Sequence, residues 1–145
     1  MVKYLVILFV LIISSCTMSQ MHRALSDTDY YQLEAKVKGD SLKIIKQIEA
    51  LIASKGLNIT YKDYDNAYFV ATLKTAQNDD VVWTVQVIDE RILASSFVRL
   101  WGVENYFNDN TPSGNSLYWD IRNGIEKLFG CKFVVTKPNN KLPYL

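Results

Sequence analysis

Residues 30–57, "YYQLEAKVKGDSLKIIKQIEALIASKGL", contain a change of rhythm that decides the fold. From Tyr31 to Val37 the apolar side chains fall on every second position, as Tyr31, Leu33, Ala35 and Val37, with Gln32, Glu34, Lys36 and Lys38 between them. A period of two sends the two sets to opposite sides of a pleated strand, which is therefore half-buried. Gly39-Asp40 breaks the pattern. Beyond it the apolar residues recur at helical spacing, as Leu42, Ile45, Ile48 and Ile52, flanked by Ile44 and Leu51. Asp40 is placed to accept hydrogen bonds as the helix N-cap. Lys55-Gly56-Leu57 ends the helix with glycine at the left-handed position.

Four strand-like runs follow in close succession. Leu57–Tyr64 alternates through Leu57, Ile59 and Tyr61, and Asp65-Asn66 turns it into Ala67–Thr75. The polar loop Gln77–Asp80 leads to Val81–Ile88, with Val81, Trp83, Val85 and Val87 on one face. Asp89-Glu90 then turns the chain into Arg91–Trp101. Connections this short leave neighbouring strands no option but to run antiparallel. Residues Gly102–Asn115, "GVENYFNDNTPSGN", read as an irregular loop carrying Val103, Tyr106 and Phe107. Helical spacing resumes through Leu117, Ile121, Ile125 and Leu128, adjoined by Tyr118 and Phe129, and Gly130 stops it. Lys132–Thr136 reads as a last strand, and "KPNNKLPYL" as a turn-like, loose tail.

The order is β-α-β-β-β-β-α-β. Two amphipathic helices cannot bury their stripes alone, and an antiparallel sheet with one apolar face needs a cover. The expected fold is α+β: an antiparallel sheet of five to six strands with both helices on one face. This layout resembles helix-grip and TBP-like architectures, which also occur in some outer-membrane assembly lipoproteins. Fold alone does not fix function.

The N-terminus differs from all of this. Lys3 precedes an uninterrupted apolar run, Tyr4–Ile13, closed by Ser14, Ser15 and Cys16. The run is too short to cross a bilayer core of about 30 Å, which takes about 20 helical residues, and it fits the apolar region of a secretory signal. Ile13-Ser14-Ser15-Cys16 resembles the bacterial lipobox, where prolipoproteins are acylated on the cysteine and cleaved before it. The resemblance covers residues 1–16 only. It implies a signal peptide over 1–15 and a lipid-anchored N-terminus at Cys16. Thr17, where an Asp would signal inner-membrane retention, points to the outer membrane, facing the periplasm. One buried acyl chain holds only marginally, and the several carried by lipoproteins hold firmly. Residues 16–28 are then the lipidated Cys and tether, 29–137 a single domain and 138–145 the tail.

Composition narrows the function. In 145 residues, 49% hydrophobic and 21% charged, there is one ordinary folded domain. A net charge of +1 with no Lys/Arg cluster argues against nucleic-acid binding. Loss of Lys3 brings the sixteen basic side chains down by one, level with the fifteen acidic ones, so steering towards anionic lipid is not expected. With Cys16 acylated, Cys131 has no internal disulfide partner and reads as a buried structural thiol. The only histidine, His22, lies in the tether, so Ser-His-Asp and Cys-His catalysis are not expected. No P-loop, GxGxxG, GxSxG, HExxH or CxxC motif is present, so neither a cofactor nor a metal is expected. Asn58-Ile59-Thr60 matches a glycosylation sequon, discounted in a bacterial setting.

One surface stands out. If Ile92, Ala94, Ser96, Val98 and Leu100 face the helices, then Leu93, Phe97 and Trp101 face outward, with Arg91 and Arg99 between them. Val82, Ile88, Tyr68 and Val70 share that outer face. Such apolar surface, rich in Trp, Tyr and Arg, marks an interface unless the 102–115 loop folds over it or the two faces of the strand are reversed. The expected partner-binding residues are Leu93, Phe97, Arg99, Trp101, Tyr106 and Phe107, and the expected function is a non-catalytic protein-binding module of the envelope, in assembly, secretion or immunity. The competing readings are a small envelope enzyme using Glu104, Asp109 and Asp120 as acid–base carboxylates, and a carrier of an apolar ligand.

Overall fold

A computed structural model describes residues 30–138 and Leu142. The chain runs β1 (Gln32–Lys36), α1 (Ser41–Ser54), β2 (Asn58–Asp63), β3 (Tyr68–Lys74), β4 (Asp80–Ile88), β5 (Arg91–Leu100), β6 (Val103–Tyr106), α2 (Ser116–Phe129), β7 (Val134–Thr136). All seven strands join one antiparallel sheet, in the order β2-β3-β4-β5-β1-β7 with β6 also on β5. The α+β class and the two helices are as the sequence rhythm implies. Cys16, His22 and the lipobox lie outside the described residues.

The seventh strand is the main difference. Residues 102–115 are not wholly irregular, because Val103–Tyr106 pairs with the second half of β5, Phe97 opposite Tyr106 and Leu100 opposite Val103. The same edge of β5 holds β1 along its first half, Ala94 opposite Leu33 and Arg91 opposite Lys36. β1 and β6 therefore lie end to end along one strand. Tyr30 meets Tyr106 at that junction, ring edge to face at 4.9 Å.

Helix ends follow their local chemistry. Asp40 caps α1, its carboxylate accepting from the Lys43 N–H at 2.7 Å. Gly56 takes φ +93° just past the helix, a value that a side chain rarely tolerates. Gly130, φ +62°, does the same for α2. The helices cross closely at Gly124, where an added Cβ would sit 3.0 Å from Leu51 Cδ2.

The main core lies between the helices and one sheet face. Ile44, Ile45, Ile48 and Ile52 of α1 and Tyr118, Ile121 and Ile125 of α2 meet Phe69, Ala71, Trp83, Val85, Ile92 and Ala94. Trp83 stacks on Tyr118 with centroids 5.8 Å apart. The buried stripes are rotated from those read off the sequence, since Leu42 and Leu128 are exposed. Arg122 and Glu126 take the buried side of α2 instead, because Tyr118 turns inward onto Trp83 and carries positions 122 and 126 with it.

The opposite sheet face holds a second buried cluster, Tyr68, Val70, Val82 and Phe97, with Tyr106 against it. Between β4 and β5 the same face carries a hydroxyl pair, Thr84 Oγ1 and Ser95 Oγ at 2.6 Å, also buried. One residue of the expected loose tail, Leu142, is held here. Leu142 is buried, and its N–H donates to the Tyr30 hydroxyl at 2.9 Å.

Candidate functional site

Strand β5 is the axis of the expected contact surface, and it is bounded by two tight turns. At one end Asp89 and Glu90 have φ +50° and +56°, and at the other Trp101 and Gly102 have +49° and +78°. Two successive positive-φ residues in a two-residue hairpin loop give the mirror-image turn whose twist suits paired strands. Asn, Asp and Gly take such positions readily. A tryptophan there carries backbone strain of about 1 kcal/mol or more.

The six expected contact residues do not form one patch. Phe97 is fully buried, correcting its expected exposure, with Tyr106 tilted on it at 4.9 Å. Tyr106 is half-buried and donates its hydroxyl proton to Glu104 Oε2 at 2.6 Å. Phe107 belongs to the other side altogether, because the strand alternation that points Tyr106 outward turns the next residue inward. Its ring lies 5.2 Å from Tyr118 in the main core. Arg99 lies over the Phe97 ring at 5.9 Å and reaches Asp80 at 4.0 Å, an acid that Lys74 also holds at 2.9 Å. Leu93 is half-buried near the opposite end of β5, opposite Gln86 and Glu34. Only Trp101 stands clear, 85% exposed.

The 102–115 segment divides its apolar residues between the two faces. Tyr106 helps to cover the outer cluster, while Phe107 enters the helix side. Beyond β6 a turn closes on itself, with Asn108 N–H donating to Thr111 Oγ1 at 2.8 Å and Asn110 N–H to Asn108 Oδ1 at 2.7 Å. Trp119 Nε1 then donates to the carbonyls of Thr111 and Pro112, both at 3.2 Å.

The three carboxylates suggested for acid–base work are held apart. Glu104 accepts from Tyr106, Asp109 accepts from Arg122 Nη1 at 2.6 Å, and Asp120 is exposed on α2 past its first turn. Burial pushes the Tyr106 hydroxyl above its ordinary range, and the bond to Glu104 adds to the shift. Among the described residues no three His, Cys, Asp or Glu side chains gather where a metal ion could be held. Nor is any described helix long and apolar enough to cross a membrane.

A buried ionic cluster went unforeseen. Arg122 donates to Asp109, to the Tyr118 hydroxyl at 3.2 Å and to the Phe133 carbonyl at 3.4 Å, and lies 5.1 Å over the Trp119 ring. Glu126 accepts from the Phe133 N–H at 2.9 Å and from Lys132 Nζ at 2.8 Å. These bonds clip the long loop and the chain before β7 onto α2. The signal was present in the spacing, because 118, 122 and 126 form one i, i+4 row beside Ile121 and Ile125. Cys131 borders this cluster half-buried, its thiol pushed up first by burial and then by Glu126.

Two open cavities flank the outer part of β1. One, about 550 Å³, sits at the Asp89–Glu90 turn between Lys36–Lys38, Arg91 and Phe129. The other, about 480 Å³, lies beside it over Ala35, Cys131 and Val134. Arg91 is paired with Glu34 at 3.2 Å, and the first cavity mixes cations and acids around an apolar floor. Ile88, 40% exposed, ends β4 at the same turn. No protein-family model matches the chain, and no curated protein does.

Proposed function

We propose that this protein is a lipid-anchored component of the bacterial envelope that works by binding another envelope protein, without catalysis of its own. The lipobox-like Ile13–Cys16 supports the anchor, with Thr17 favouring the outer membrane and the periplasmic side. The observation that carries the binding reading is the cleft at the Asp89–Glu90 turn. It is open and mixed in charge, with Val37 and Phe129 among Lys36, Lys38, Asp89, Glu90 and Arg91. That combination suits a contact surface, where apolar anchors are ringed by polar groups. Glu104 and Asp109, the acids an enzyme would need to converge, are each tied into a separate structural pair.

The experiment pairs an intact-mass and fractionation measurement on the chain and its Cys16→Ala variant with affinity capture from detergent extract. Loss of residues 1–15 with added acyl mass, abolished by Cys16→Ala, is the expected result. Capture should fail for Lys36→Glu combined with Lys38→Glu while the domain stays folded. An unmodified Cys16 sinks the anchor, and unchanged capture sinks the cleft.

A further inference from the structure

We propose that Trp101 seats in the interfacial layer of the membrane, so that the β5–β6 hairpin faces the bilayer and the Asp89–Glu90 cleft faces away from it. The inference rests on the lipid-anchor reading and adds an orientation and a second contact. Trp101 is 85% exposed, and it occupies a turn position where φ is +49° and a small polar residue would be unstrained. The turn exposes a large ring where turn geometry favours Asn or Gly.

The direction of the chain selects the occupant. β1 runs antiparallel to β5, so the chain that leads from Cys16 reaches the domain at Tyr30, level with Phe97. Trp101 lies four residues further along β5, about 13 Å at strand spacing. The anchored end of the domain and the tryptophan tip therefore point the same way. The cleft sits at the other end of β5, roughly 30 Å off. A twelve-residue tether between Cys16 and Asp29 spans at most about 40 Å, so the hairpin is within reach of the surface that holds the acyl chains.

A lone ring on a two-residue tip, beside Gly102, supplies far less than the roughly 800 Å² that each side of a stable protein interface buries. It does match the chemistry of a bilayer interface, where an indole keeps its apolar body in the acyl boundary and its N–H among headgroups. Lys74, the last residue of β3, and Arg99, next to last in β5, lie at the same end of the sheet, both on Asp80, with stems long enough to lie along headgroups.

The test uses the acylated full chain, isolated from an expressing bacterium and reconstituted into phosphatidylcholine vesicles with or without bromine on the acyl chains. Trp101→Ala and Trp101→Asn are compared with the parent, the second because Asn favours the turn and keeps the hairpin. Trp83 is fully buried and Trp119 half-buried, so both give a constant background. The expected result is a blue shift and bromine-dependent loss of emission in the parent, both absent from the two variants, with all three proteins floating with the vesicles. Flotation with equal quenching in parent and variants overturns the proposal and leaves the anchor standing. So does a Trp101 that stays open to aqueous iodide until an envelope extract is added, which would assign the ring to a protein. Failure of the parent to float removes the anchor, and this inference with it.

Discussion

The two faces of the sheet are buried by different means. On the helix side Trp83, Phe69 and Ile92 lie under two regular helices, in hydrocarbon and ring packing bordered by buried Arg122 and Glu126. On the other side Tyr68, Val70, Val82 and Phe97 lie beside a buried hydroxyl pair, and their described neighbours come from a four-residue strand and a ring stack. Tyr106 covers Phe97, Tyr30 covers Tyr106, and Leu142 closes on Tyr30. The first face is fixed by secondary structure. The second is sealed partly by Tyr30 and Leu142, which in sequence lie outside the first and last strands, so its apolar content is tied to how those segments are held.

Substitutions can break this comparison. Trp83→Ala should have the largest effect, about 4–5 kcal/mol of stability by denaturant unfolding, since a fully buried indole leaves its stacking partner Tyr118 over a void. Phe97→Ala should cost about 3 kcal/mol, the low end for an aromatic, because the ring stack above it has room to settle. A loss below about 1 kcal/mol would mean that the outer cluster is only loosely packed. Leu142→Ala should cost about 2 kcal/mol and raise binding of an apolar dye, whereas an exposed leucine such as Leu128 should tolerate the same change.

Smaller effects sharpen the comparison. Thr84→Val should cost about 1 kcal/mol by removing the 2.6 Å bond to Ser95 Oγ, read by denaturant unfolding. Trp101→Asn should stabilise the domain by about 1 kcal/mol through relief of the turn, read as a higher thermal midpoint. The tyrosines give a pH signature for both faces at once. Burial raises the hydroxyls of Tyr68, Tyr106 and Tyr118 above the ordinary 10.0. The unfolded chain then ionises first as pH climbs through 10, binds fewer protons than the folded form, and is favoured. Stability should be flat against these groups below pH 10 and fall above it, as thermal midpoints across that range would record.

How much of this was legible depends on the range of the forces involved. Leu33, Ala35 and Val37 announced β1, Asp40 and Gly56 announced the ends of α1, and the short turns announced an antiparallel meander, because each is decided within a few residues. β6 was hidden because its partner strand is needed to give Val103–Tyr106 a register, and Trp-Gly is not a usual hairpin turn. Leu42 and Leu128 were placed in the core by spacing alone, while the actual rotation of α2 follows Tyr118 onto Trp83. Phe97 looked like an exposed contact because alternation assigns a face and says nothing of what lies above it.

The sequence by itself determined the α+β class, both helices and six of the seven strands; the bulge that turns Ile59 and Tyr61 of β2 to opposite faces was not in its alternation. Periodicity, capping and turn chemistry are local, and they act before any long-range contact exists. Only tertiary structure decided that β1 and β6 share one edge of β5, that Arg122 and Glu126 are buried, that Leu142 returns to Tyr30, and that one tryptophan stands exposed at the end where the chain enters. Those outcomes depend on contacts between residues as far apart as Tyr30 and Leu142, where packing and the satisfaction of buried polar groups select among arrangements that local pattern leaves equal.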